Sequence, residues 1–240
     1  MSTYALGNMG CRAARSSFSE ENAYLFRQET ALGFSSHPPT AIEAVCYRLC
    51  QNSLLSESAF LRFRDSLALT KDPEVAFSCF ERLKEGDSYD VKKVLTYALM
   101  LSRGTAQEKA VALWNVFKQD GGVEMQAAEF RRLLESVLTA ALDFSLELSV
   151  VLPVMAEDRL KSWRETMRPK QAKGIAELMD MFLGKRESLH QATYLRLIAE
   201  ESSADLTSTA AVRDTVERVK AAPAKYQAAF QKHQFANKLV

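Results

Sequence analysis

The sequence predicts an all-α fold of tandem helix-loop-helix units, arranged as two pairs and followed by C-terminal helices. Three observations predict it: apolar residues recur at helical spacing, the pattern repeats with a period of 34 residues, and no alternating stretch of strand period competes with it. The stretches AIEAVCYRL (41–49), VAFSCFERL (75–83) and KAVALWNVF (109–117) carry matching apolar stripes. Leu49, Leu83 and Phe117 stand 34 residues apart in turn, and Cys46, Phe80 and Trp114 keep the same register. The second helices follow suit. Phe60, Phe63 and Leu67 correspond to Val94, Tyr97 and Leu101 and then to Phe130, Leu133 and Val137, with the third loop two residues longer.

Tetratricopeptide repeats share the period of about 34, yet their signature small residues would fall on Cys46, Phe80 and Trp114, and their small-then-aromatic pair on Ser58 and Arg62 or Lys92 and Thr96. The match fails. In chain order, residues 1–18 lack periodicity and are expected to be a disordered leader. Within them, Met9-Gly10-Cys11 resembles the start of doubly acylated proteins, with Gly10 for myristate and Cys11 for palmitate. Gly10 is internal, however, and Ala14 stands where that motif wants a hydroxyl. Ser17 with Glu20 reads as a capping box that starts a helix over 19–31, and 33–39, GFSSHPP, forms a loop. Asp72-Pro73 opens the second unit, and Thr105 with Glu108 caps the first helix of the third. Gly121 and Gly122 end that helix, and Glu129-Phe130 open the next.

Beyond Leu138 the pattern predicts a helix continuing to about residue 151, where Pro153 stops it, and a connecting helix over 157–167 closed by Arg168-Pro169. Residues 170–201 read as a fourth unit, with Ile175, Leu178, Met179 and Phe182 on its first helix and Tyr194 and Leu197 on its second. A polar linker, 202–208, and two helices, 209–221 and 223–235, finish the chain. The expected organisation is therefore a leader (1–18), an N-terminal helical domain with three units (19–152), a connecting helix with the fourth unit (153–202) and C-terminal helices (203–240).

The balance of 31 basic and 30 acidic residues argues against a nucleic-acid surface, which shows as a clustered basic excess. The longest apolar stretch, 137–155, is broken by Asp143, Glu147 and Pro153, so no transmembrane segment is expected. No secretory pattern opens the chain. Cys11, Cys46, Cys50 and Cys79 match no zinc or redox spacing and read as reduced thiols of a cytoplasmic protein, with peripheral membrane association if the leader is acylated. His37, His190 and His233 are far apart and belong to no nucleophile, metal or phosphate motif, so no enzyme is expected.

The gap between the two helices of the third unit approaches the length of a calcium-binding EF-hand loop, about 12 residues. Such a loop needs oxygens at positions 1, 3, 5, 7, 9 and 12 and a glycine at 6. Setting Glu129 at 12 and Met125 at the apolar position 8 puts Lys118 at 1, Asp120 at 3, Gly122 at 5 and Val123 at 6. A lysine ammonium repels a cation, and Val123 in a glycine position is expected to be strained. Asp120, Glu124 and Glu129 remain as oxygen donors, short of the about 6 to 8 ligands calcium takes. The loop 84–90 keeps Glu85, Asp87 and Asp90 without a closing carboxylate; 50–57 is nearly uncharged, and 183–188 is basic. No cofactor is expected, calcium being the one candidate.

The run LSRGTAQEKAVALW, followed by an AEF turn, is similar to the linker between paired EF-hands in calcineurin-B-like sensors and to the helical N-terminal half of TLDc-domain proteins with degenerate EF-hands, over about 40–137. Ser102-Arg103-Gly104-Thr105, Glu108-Lys109 and Glu129-Phe130 carry the likeness. The family's metal ligands do not transfer, because Lys118 and Val123 depart from them, and no TLDc domain follows.

EF-hand pairs with silent loops work by geometry, leaving an apolar groove for an amphipathic partner helix. Met100, Trp114, Phe117, Met125, Phe130, Met155, Met179 and Met181 are the candidate lining, because methionine and aromatic side chains adapt to a helical ligand. Most of them also suit a core. The C-terminal helices are candidates to fill the groove as a plug, or to contact a larger assembly. The leading expectation is a calcium-independent, non-enzymatic adaptor or scaffold subunit. The alternatives are a calcium-responsive sensor and a structural subunit of a large complex.

Overall fold

A computed structural model of the 240-residue chain describes residues 19–69, 80, 83–118, 120–145, 157–200 and 205–219. The expected leader with Gly10 and Cys11, the cap at Ser17, the Asp72-Pro73 start, the stop at Pro153, Met155 and the last expected helix lie outside those residues. The described residues are mostly helical, as expected.

Helix α1 (Glu20–Ala31) is capped by Ser19, whose hydroxyl accepts the Asn22 N–H at 3.2 Å. Gly33 takes a left-handed φ of 87°, which turns the chain through a short 3-10 turn, Phe34–Ser36, into α2 (Pro39–Leu49). Pro39 occupies the first turn of α2, where a missing N–H costs nothing.

Two small sheets accompany the helices. Strands of three residues, too short to show an alternating pattern in the sequence, run directly into four of the helices. These are β1 (Leu54–Ser56) before α3 (Glu57–Ser66), β3 (Ser88–Asp90) before α4 (Val91–Leu101), β4 (Glu124–Gln126) after α5 (Ala106–Phe117) and before α6 (Ala127–Thr139), and β5 (Ser188–His190) between α7 (Glu157–Leu183) and α8 (Gln191–Ala199). β2 (Lys84–Glu85) adds a third strand beside β3, giving the order β1-β3-β2. β1 pairs antiparallel with β3, Leu55 opposite Tyr89, and β4 with β5, Met125 opposite Leu189. All four central residues are buried, because the middle residue of a three-residue strand alone faces the core. The strands thus tie the segment before α3 to that before α4, and the segment before α6 to that before α8.

The last residue of each of these strands begins the helix that follows. Ser56 accepts from the Ala59 N–H at 3.3 Å, Asp90 from Lys93 at 3.1 Å and His190, through Nδ1, from Ala192 at 3.2 Å. In the third unit the reciprocal contact serves: Glu129 accepts the Gln126 N–H at 2.9 Å.

The helix after Leu138 does run on, as a π-helical segment, Ala140–Phe144, and the rest of its expected length lies outside the described residues. One further expectation changes: Arg168-Pro169 does not close a connecting helix, since α7 runs unbroken through Pro169. A proline inside a helix removes one hydrogen bond and crowds the carbonyl four residues back, a cost of about 3 kcal/mol. Packing on both sides offsets it: Leu160, Trp163 and Met167 are buried before the proline, and Ile175, Leu178 and Phe182 after it. Helix α9 (Thr209–Arg218) packs against α1, α6, α7 and the π-helical segment.

The buried apolar side chains form one connected cluster. Cys46, Phe80 and Trp114, aligned by the repeat, are all inside it. Phe34, Phe60, Phe63, Phe80, Tyr89, Tyr97 and Phe144 make an aromatic group around the first two units, with Phe60 stacked on Tyr89 at 4.3 Å. Trp114, Phe130, Phe182 and Tyr194 make another around the last two.

Candidate functional site

The third loop leaves α5 at Lys118 and enters β4 at Glu124. Gly121 takes the left-handed φ of 69°, so Val123 is not forced into one, and the strain expected there is absent. Val123 is instead an exposed side chain, at 55%. At Gly122 a Cβ would come within 2.8 Å of Lys118 Cε and 3.0 Å of Asp120 Oδ1, so a side chain there would displace these two.

The Lys118 side chain folds back across the loop beside Gly122. Its Nζ lies 3.0 Å from Asp120 Oδ2 and 3.4 Å from Glu129 Oε2, with the side chain 11% exposed. Asp120 Oδ1 accepts the Gly122 N–H at 2.9 Å, and Glu129 Oε2 also accepts the Gln126 N–H. The hydrogen bond from Lys118 to Asp120, with a further one to Glu129, raises the lysine pKa above its ordinary value. The Gly122 N–H first, and then Lys118, lower that of Asp120. The ammonium is thus the cation held between the carboxylates. Glu124 is not brought to them; it accepts a hydrogen bond from Ser188 of β5. Among the described residues, no three His, Cys, Asp or Glu side chains converge as a metal-binding group.

Trp114 is tied to this loop, donating from Nε1 to the Gly122 carbonyl at 3.3 Å. Its place corrects one part of the expected groove. Met100, Trp114, Met125 and Phe130 are interior side chains, not walls of an open cleft. Met125 is the inward residue of β4, and Phe130 is held 5.3 Å from Phe182. Phe117 and Met179 are half-buried against the core, and Met181, at 46%, is exposed. His37 ends the 3-10 turn and His190 caps α8, so these two histidines stay apart. Burial pushes the Cys46 thiol up to about 12, which keeps it protonated and unreactive near neutral pH.

A second polar site went unread in the sequence. Arg213 of α9, fully buried, donates from Nε to Asn22 Oδ1 at 2.7 Å, and its two terminal nitrogens reach Glu29 Oε1 at 2.7 Å and Oε2 at 3.0 Å. It also donates to the Ala141 carbonyl at 3.1 Å and to Ser145 Oγ at 2.9 Å. Glu29, 1% exposed, further accepts from Thr209 at 2.7 Å and from Ser145. A signal for it did exist. Glu29 lies on the stripe of Leu25 and Leu32, and Arg213 on that of Ala210 and Val216, so two apolar faces each carry one charge of opposite sign.

Among the described residues, no helix is long and apolar enough to cross a membrane. No family model, curated protein or solved structure matches the chain.

Proposed function

We propose that this chain is a calcium-independent, non-enzymatic helical adaptor built from EF-hand-like units in two pairs. The observation that carries the reading is the Lys118 ammonium held between Asp120 and Glu129. A loop whose carboxylates already share a fixed internal cation has no use for a divalent one, and a dication placed there would face the lysine's like charge at short range. The geometry of helix, loop, short strand and helix, with strands pairing the units two by two, supports the EF-hand-like part. The loops then serve to set helix angles, and function passes to helix faces that hold other helices.

Calorimetric titration of the purified chain with calcium, read together with Trp114 emission, tests the loop. The expected result is no saturable heat and no change in emission. A saturable response at micromolar calcium overturns the reading and makes Asp120 and Glu129 part of a sensor. Affinity capture in calcium and in chelator tests the adaptor part: the same protein partners are expected in both buffers, and partners that vanish in chelator would contradict it.

A further inference from the structure

We propose that the cleft between the π-helical segment and α7 is a docking pocket for one acidic side chain, aspartate or glutamate, of a protein partner. The inference rests on the adaptor reading and names where the partner anchors and by what chemistry.

Leu142, Trp163 and Met167, each nearly buried, form the apolar lining of the cleft. Its polar lining on α7 is Arg164, Arg168 and Gln171, which share one helix face at spacings of four and three residues. Asp143 of the π-helical segment stands opposite them in the lining. The cleft holds about 220 Å³ of empty space, part of it open to solvent. That is below the about 300 to 1,000 Å³ of small-molecule sites, so it suits the tip of a side chain. Helices pass into π turns frequently at functional sites, and this one borders the cleft.

Gln171 points to an occupant. It is 6% exposed and lines the cleft, yet among the described residues its carboxamide has no hydrogen-bond partner. Buried polar groups are nearly always paired, so a carboxamide in this position calls for a ligand atom to complete its bonding. The sign of that ligand follows from the charges beside it. Arg164 is engaged with Asp143 at 3.2 Å, which neutralises this carboxylate. Arg168 is exposed and has no ionic partner among the described residues. Two guanidinium groups against one carboxylate leave the cleft positive. An incoming carboxylate has one oxygen for the Arg168 fork and another for the Gln171 N–H, with its methylenes against Trp163 and Met167. A lysine or arginine meets like charge there, and an apolar side chain leaves Gln171 unpaired. Tryptophan, methionine and arginine are also the residues enriched where proteins anchor one another.

The test selects a random phage-displayed peptide library on the purified full chain, with the Arg168→Glu chain as counter-selection, and measures fluorescein-labelled forms of the enriched peptides by anisotropy. These peptides should share an aspartate or glutamate whose replacement by its amide weakens binding at least about tenfold. Arg168→Glu, at an exposed position, should keep the circular-dichroism spectrum and thermal midpoint of the unaltered chain and bind the same peptides at least about tenfold more weakly. Gln171→Leu, which preserves the apolar contacts, should weaken them at least about threefold. No enrichment, enriched peptides that tolerate loss of their carboxylate, or equal binding to the Arg168→Glu chain would each overturn the proposal and leave a cleft that holds only water. A calcium response would sink the adaptor reading without altering the peptide ranking, so the two failures are distinguishable.

Discussion

Lys118 and Arg213 use positive charge in opposite settings, one at the edge of solvent and one in the interior. The Lys118 site depends on two ionisations. The lowered Asp120 pKa means that its ion pair stabilises the loop above the unfolded carboxylate value of about 3.9 and is lost as pH falls through the lower folded one. The raised Lys118 pKa means that its contribution is present below about 10.4 and is lost as pH climbs through the higher folded value. Trp114 emission, reporting through the Gly122 carbonyl, should stay flat from about pH 5 to 9 and change on further acidification. A transition centred near pH 6.5 in a fluorescence titration would mean that another group controls the loop. For the interior pair, Arg213→Leu strands Glu29 and should cost about 3–5 kcal/mol in urea unfolding, whereas Glu29→Leu combined with Arg213→Leu should recover most of it.

At the scale of elements, α7 carries two residues that a helix would not choose. Pro169 persists because the helix is held by packing on both flanks, so Pro169→Ala should raise stability by up to about 3 kcal/mol, read as a shift in the urea midpoint. Gly174 leaves ordinary van der Waals space for one methyl group, and Gly174→Ala should gain about 0.5–1 kcal/mol. Gly174→Leu should instead push Val216 outward and lower the midpoint. The anchors of α7 reach both ends of the chain: Arg159 pairs with Glu20 and Glu21 of α1, and Lys170 donates to the Glu217 carbonyl of α9 at 2.6 Å. The first unit's helices were legible from their stripes, and α5 from its cap as well, because each is a local pattern with a local reward. The strands were not, since three residues hold one inward side chain and no period.

At the scale of the whole molecule, the described helices share one core, and α1 and α9, far apart in sequence, pack against each other beside it. Ser19 donates to Glu217 at 2.7 Å, and the Trp163 indole donates to the same carboxylate oxygen at 2.9 Å. If the loops bear no calcium, the thermal midpoint of the chain should be equal in calcium and in chelator. A rise with calcium concentration, the mark of a ligand bound to the folded state, would contradict this. The sequence by itself determined the helical class, the 34-residue register that buries Cys46, Phe80 and Trp114 alike, and the displaced charge at Lys118, because stripes, caps and loop positions are written in neighbouring residues. Only the tertiary structure decided that Lys118 folds back between two carboxylates, that Pro169 lies inside a helix, and that Arg213 meets Glu29 across 184 positions of chain. Each of those depends on what is packed alongside, and burial, which sets the value of a charge or the tolerance of a proline, is fixed by residues far away in sequence.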